Sequence, residues 1–266
     1  WAAHGNPDWS YDRCLPVMKR IESDQDFPDS PIHGNSGPLY VKRPFTLDMP
    51  APPPVRAFIE RAAGMGLPRG PALNVPEPLG ICASPYNTKN GKRQSTTVAY
   101  LSSARARKNL TIVAQALVRS LTITGRKVTE VRYEKDGAMQ SATGDQVVLS
   151  AGVYHSPQIL MLSGLGPVKE VERLGIKVLH PLEGVGENYQ DHPVVYMTFE
   201  GPASFSTDWV VPRFRLIIKS DPGQPCGNFH INMRPPTEVQ GIKRMMPISA
   251  HLLEQRQRGR LYLKSA

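Results

Sequence analysis

Apolar residues recur at helical spacing in several stretches and at strand spacing in most of the others. Val55, Phe58, Ile59 and Ala62 share one helical face, in a segment that Pro52-Pro53-Pro54 opens and Gly64 and Gly66 close. Another helix is predicted over residues 10–22, with Ser10 as N-cap and Pro16 in its first turns. Val98, Leu101 and Ala104 predict a third from about Ser95 to Arg107, whereas His33-Gly34-Asn35-Ser36-Gly37-Pro38 and residues 67–93 read as loop. The period then changes. Leu110–Ala114, Leu117–Ile123 and Val128–Glu134 are β-branched runs, and Gly125-Arg126 and the hairpin dipeptide Asp136-Gly137 punctuate them.

Gln146-Val-Val-Leu-Ser-Ala-Gly152 is a continuous apolar run of the kind that forms a strand buried on both faces. Ser156-Pro157 after it supplies an N-cap and a first-turn proline for a short helix running to Gly164. Strand, glycine turn and capped helix together bring a helix N-terminus to the edge of a ligand. A second short helix starts at Pro167 and ends at Gly175, and Ile176–Leu179 reads as a strand. From residue 194 the signals are strand again: Val194–Phe199, Phe214–Ile218, Phe229–Met233 and Arg260–Leu263. Several of them alternate, which predicts an antiparallel sheet with one wet face. The expected fold class is mixed α/β, with a boundary near residue 193.

Composition narrows the function classes. The 266 residues are 40% hydrophobic and 21% charged, enough to bury a core, so a disordered tail or a disulfide-dense scaffold is excluded. No run approaches the roughly 18 apolar residues of a membrane-spanning helix, and a soluble protein is expected. The net charge of +9 raises nucleic acid as a partner. The densest basic patch, Arg105-Ala-Arg107-Lys108, has no interleaved aromatics, so solvated helix-end cations are the better reading. Cys14, Cys82 and Cys226 lack metal or disulfide spacing and fit a reducing, cytoplasmic setting. A chain that starts at Trp1 reads as part of a longer product.

The most specific motif is Ser150-Ala-Gly-Val-Tyr-His-Ser-Pro-Gln-Ile-Leu-Met-Leu-Ser-Gly-Leu-Gly-Pro167. It resembles the second signature of the glucose–methanol–choline (GMC) oxidoreductases. Gly152, Ser156, Pro157, Ile159, Leu160, Ser163, Gly164, Leu165 and Gly166 match, and Val153 departs where a small residue is usual. Gly5-Asn-Pro-Asp-Trp9, His33–Leu39, Arg93–Leu101, Asn109–Val118 and Gly259–Ser265 are also similar to that family in order. So is Gly184–Pro193, with Tyr189 in place of the usual Leu. The resemblance divides the chain into helices and loops bridging the FAD and substrate domains (1–108), a return segment of the FAD domain (109–193) and a substrate-domain antiparallel sheet (194–266).

The resemblance implies FAD as cofactor and oxidation of a small-molecule alcohol by hydride transfer to the flavin. It also implies backbone contacts to the adenosine part of FAD from Val118, Ala151 and Gly152. Independently of the family, a glycine turn lets main chain approach closely, and backbone N–H and C=O groups can read an adenine edge. The chain contains no G-x-G-x-x-G opening a βαβ unit. The family's catalytic His belongs to a segment expected after Ala266. No residue of this chain is therefore expected to be catalytic: His155 and His192 read as hydrogen-bonded loop groups, and His230 and His251 lack metal-ligand spacing, so no metal is expected. Hydroxynitrile lyase and photodecarboxylase chemistry share these motifs, and a catalytically inactive binding module is the rival from another class.

Overall fold

The computed structural model describes residues 1–70, 72–201, 214–234 and 236–266; the part of the expected substrate sheet at 202–213 lies outside them. Helix α1 (Tyr11–Ile21) follows Ser10, whose carbonyl accepts the Cys14 N–H although its hydroxyl makes no cap bond. Strand β1 (Glu22–Asp24) pairs in parallel with β2 (Leu39–Val41). Helix α2 (Pro53–Gly64) uses prolines where the first-turn N–H groups have no helical partner, and it buries Val55, Ile59 and Ala62. Strand β3 (Gly80–Ala83) lies within the stretch expected to be loop. The expected helix at 95–107 is π-helical over Thr97–Leu101 and α-helical only over Ser102–Ala104. The Ser102 N–H and hydroxyl both donate to Thr97 O five residues back, which widens the turn.

Strands β4 (Leu117–Thr124), β5 (Lys127–Lys135) and β6 (Ala138–Ala142) form an antiparallel meander. Both hairpins have two-residue turns, Gly125-Arg126 and Asp136-Gly137, and positive φ at Gly125, Asp136 and Gly137 suits the strand twist. Leu110–Ala114 is not a strand: Ile112 and Val113 are exposed, and Gln115 turns the backbone at φ 55°. The run Gln146–Ser150 is not a buried strand either. It has no ladder partner among the described residues, and Val148 is 84% exposed. An apolar run becomes a strand only where another strand meets its backbone groups.

Helix α3 (Gly152–Leu162) begins earlier than the capping signal predicts, so Ser156 and Pro157 lie inside it. The Ser156 hydroxyl accepts the Ala151 N–H at 3.1 Å, reaching back to the helix start instead of capping from outside it. Helix α4 (Val168–Arg173) is followed by Gly175 at φ 72°. The strand expected at 176–179 is displaced: His180-Pro181 pairs in parallel with Leu165-Gly166. The remaining strands are β7 (Val194–Glu200), β8 (Phe214–Ile218), β9 (Phe229–Met233), β10 (Thr237–Val239) and β11 (Ile242–Leu252). Arg260–Leu263 is no strand; it is tied by Tyr189–Gly259 bonds, by Leu261 N–H to Gly186 O and by Leu263 N–H to Glu170.

The chain forms two compact units. One comprises residues 1–110 and 192–254, the other 111–191 and 255–266. The first is built on an antiparallel sheet in the order β7-β11-β9-β8-β3, with β10 on β11. One face of this sheet, with Phe214, Leu216, Ile81 and Ala83, packs on Val55, Ile59 and Ala62 of α2. The second unit sets α3 against β4, and Met161, Val171 and Leu263 form its small core.

Candidate functional site

The three residues expected to meet the cofactor all belong to the second unit. Val118 is half-buried in β4 opposite Tyr133, next to a bulge at Arg119. Ala151 and Gly152 are exposed at the start of α3. Gly152 has φ +84°, and a Cβ built on it meets no atom of the described residues within 4 Å. Helix and strand are tied by Ser163. Its buried hydroxyl donates to Ile159 O at 2.6 Å and accepts the Leu121 N–H at 2.8 Å, so it serves both the end of α3 and the free edge of β4. Gly164, at φ +77°, passes so close to Lys177 O that any Cβ would collide with it. The Ser-Gly-x-Gly run is therefore dictated by packing, while Gly152 faces open space.

Near the same helix start, the Tyr154 and Tyr189 hydroxyls lie 2.7 Å apart, and Tyr189 also donates to Asp191. The Tyr154 hydrogen bond, then desolvation and the nearby Asp191 charge, push the Tyr189 hydroxyl up to about 12, so it remains a donor at any physiological pH.

The first unit holds a cavity of about 710 Å³ on the sheet face opposite α2. Strand register builds it. Arg215 stands opposite Asn232, and Asn232 opposite Ser249; in the next row Ile217, His230 and His251 align. Side chains alternate along a strand, so all of these point to one side. That is the wet face the sequence predicts. His192 and Arg93 also line the cavity. Spacing along the chain gave no hint that His230 and His251 meet, because the contact exists only across strands.

His230 is pushed down to about 4, chiefly by burial and then by the charges of Arg215, His251 and His192. His251 is lowered for the same leading reason. A group with that value is neutral at pH 7 and a poor general base there. It is also a stability statement. Between its unfolded value of 6.5 and about 4 the unfolded chain binds more protons, so stability falls as the medium is acidified through that window. After allowance for partial solvent access, the His230→Gln variant should lose about 1–2 kcal/mol less than the wild type between pH 7 and pH 5. Urea melts at the two pH values check this, and parallel losses would reject it.

Glu22, Asp24 and His33 bring ligand-type atoms within 4.8 Å of one another. Arg43 already fills that role: its Nη1 donates to both Asp24 oxygens at 2.9 Å and to Asp26 at 3.2 Å. We assign no metal to these residues.

The family model described as GMC oxidoreductase matches residues 1–194. The chain belongs to this family. Among curated relatives, the oxygen-dependent choline dehydrogenase of Pectobacterium atrosepticum is 39% identical over 202 residues, 75% of this chain and 35% of that protein. The Staphylococcus xylosus protein of the same name is 36% identical over 200 residues, again 35% of its length. The chain thus spans about a third of the curated relatives it matches. Among solved structures, pyridoxine 4-oxidase from Mesorbium loti superposes with a TM-score of 0.83 at 26% identity, over 98% of this chain and 53% of that one. An FAD-dependent oxidoreductase from Chaetomium thermophilum shares the fold, with a TM-score of 0.81 at 19% identity over 100% of this chain and 59% of that one. The GMC signature quoted above occupies α3 and the turn to α4. No helix among the described residues is long and apolar enough to cross a membrane.

Proposed function

We propose that the protein is an FAD-dependent oxidoreductase that oxidises the CH–OH group of a small-molecule alcohol, acting in the cytoplasm, where its three unpaired cysteines stay reduced. The observation that carries this reading is the bend at Ala151-Gly152, inside the GMC signature. A left-handed glycine there offers bare main chain, and among the described residues no atom lies within 4 Å of where its Cβ would sit. That is a fit for the adenosine portion of FAD, with Val118 on the strand against which α3 packs. When bound, FAD supplies the redox chemistry by accepting a hydride from the alcohol carbon.

This chain's own residues bind and orient. The main chain of Ala151, Gly152 and Val118 holds the adenosine end. Ser163 fixes the helix against the strand that carries Val118. We assign the unit of residues 111–191 and 255–266 to the cofactor domain and the unit of residues 1–110 and 192–254 to the substrate domain. Neutral His230 and His251 offer hydrogen bonds to an alcohol hydroxyl without competing for its proton.

Anaerobic addition of primary and secondary alcohols to the flavin-loaded protein should bleach the oxidised flavin band. A colourless purified protein that takes up no FAD, or a flavin that no alcohol reduces, would overturn the proposal. Gly152→Val should cut retained flavin per polypeptide roughly tenfold or more, because a branched Cβ at positive φ is strained and fills the approach. Unchanged flavin content in a variant with an unaltered far-ultraviolet spectrum would reject that role for Gly152.

A further inference from the structure

We propose that the alcohol carries an anionic group of the carboxylate type, held over the sheet by Arg215 and Arg234. This deepens the reading above and rests on it for the word alcohol, but the anion site stands on its own observations. The first is charge. The ionisable side chains lining the cavity include Arg93, Arg215, Arg234, His192, His230 and His251, and no Asp or Glu among the described residues lines it. Nor does any carboxylate among the described residues form an ion pair with Arg215 or Arg234. By contrast Arg43, Arg119 and Arg173 each have a carboxylate partner.

The second observation is placement. Arg215 stands opposite Asn232 across β8 and β9. Arg234 lies two residues beyond Asn232 and donates through Nε to Ser249, the residue opposite Asn232 on the other side. The guanidinium of Arg234 also lies 5.4 Å from the Tyr196 ring centre, which helps to hold it. Two guanidinium groups thus flank one amide on the same face. A planar fork on each side of an amide donor suits a carboxylate, which accepts bidentate bonds from arginine. His230 and His251 are lowered first by burial and then by the neighbouring arginines, and an anionic ligand would relieve the second of these.

The same field argues against the substrate in the relatives' names. Choline is a quaternary ammonium ion, and such ions are held by aromatic faces or carboxylates. Here the charged side chains that line the cavity among the described residues are arginines, of its own sign. A transfer of that substrate from the choline dehydrogenases to this chain is therefore opposed by the chemistry of its cavity.

The test uses the flavin-loaded protein and four probes: benzoate, para-hydroxymethylbenzoate, para-methylbenzyl alcohol and choline. Calorimetric titration should show benzoate binding and no choline binding. Arg215→Gln and Arg234→Gln should each weaken benzoate roughly tenfold or more, with Arg215→Lys intermediate because it keeps the charge and loses the fork. In flavin reduction, para-hydroxymethylbenzoate should have a KM at least about tenfold below that of its neutral methyl analogue, and Arg215→Gln should abolish that difference. Benzoate cannot be oxidised as an alcohol. If it binds and the arginine variants lose it while no alcohol reduces the flavin, the anion site stands and the alcohol reading falls. The anion proposal is overturned if choline is preferred or if benzoate binding is indifferent to both arginines. It is also overturned if benzoate binds only flavin-free protein, because the arginines would then serve the cofactor's phosphates.

Discussion

Replacing Asp24 with Ala should lower the folding free energy by about 3 kcal/mol, near the lower end of what loss of one partner of a buried ion pair costs. The Asp24 side chain is fully buried and that of Arg43 is 4% exposed. Asp24 also accepts the backbone N–H groups of Asp26 and Phe27, so its loss strips the 24–27 turn as well. Asp26 remains as a second, partly exposed partner of Arg43, which keeps the cost from rising further. The pair is not fully satisfied: Arg43 Nε and Nη2 and His33 Nε2 make no hydrogen bond among the described residues, although the guanidinium rests 4.6 Å from the Phe27 ring centre. Replacing both members with apolar residues, Asp24→Leu with Arg43→Met, should accordingly cost less than Asp24→Ala alone. Urea midpoints at constant slope measure both. A loss below about 1 kcal/mol in the single variant would show that the pair does not hold this region.

Gly37→Ala should be as damaging by a different route. Gly37 donates its N–H to Glu22 O at 2.8 Å, and this brings its α-carbon against the backbone where α1 runs into β1. A Cβ there would overlap main-chain atoms of Ile21 and Glu22, and main chain cannot rotate aside as a side chain does. Overpacking of this kind typically costs about 1–3 kcal/mol and occasionally more. With backbone on the receiving side, about 3 kcal/mol or more is expected, a fall in Tm of roughly 6–12 °C for a unit of this size. Gly144→Ala is the control. Its Cβ would sit 3.6 Å from Gln146 O with no positive φ, so the melt should stay put. Equal melts for the two variants would show that the 33–38 loop can back away from α1.

These two sites show what a sequence yields and what it withholds. Helix α2 was legible because Val55, Ile59 and Ala62 recur at helical spacing between prolines and glycines, and they are the residues buried. The Asp136-Gly137 turn was legible because few other dipeptides take two positive φ angles. The wet sheet face followed from alternation in the strands after residue 194. Strand β11 was not legible: Lys243-Arg244 and Pro247 break both alternation and propensity. Pro247 is tolerated because its carbonyl accepts the Arg234 N–H just past the end of β9, so the bond its nitrogen cannot make falls where the ladder stops. Strand β3, four residues with a glycine at its head, is too short to show a period.

Among the candidate site residues, Ala151 and Gly152 could be named from the sequence because the signature that contains them is a continuous local motif. The sequence placed a buried strand before them; the structure has an exposed, unpaired segment instead. The arginine and histidine cavity was missed because Arg215, His230, Arg234 and His251 are scattered in sequence. Only strand pairing, which no local signal encodes, puts them on one face.

The first unit is assembled from two separate lengths of chain, with the second unit's hairpins between them. The pairing of β3 with β8 joins residues 80–83 to 214–217 across that insertion. The β4-β5-β6 meander needs only neighbours in sequence, so it can form while the distant pairing is still open. Once folded, it shortens the span that must be closed to complete the large sheet. On a ribosome, the arginine-lined cavity would accordingly be among the last features to exist, since it cannot form before β8 and β9 have emerged and found β3.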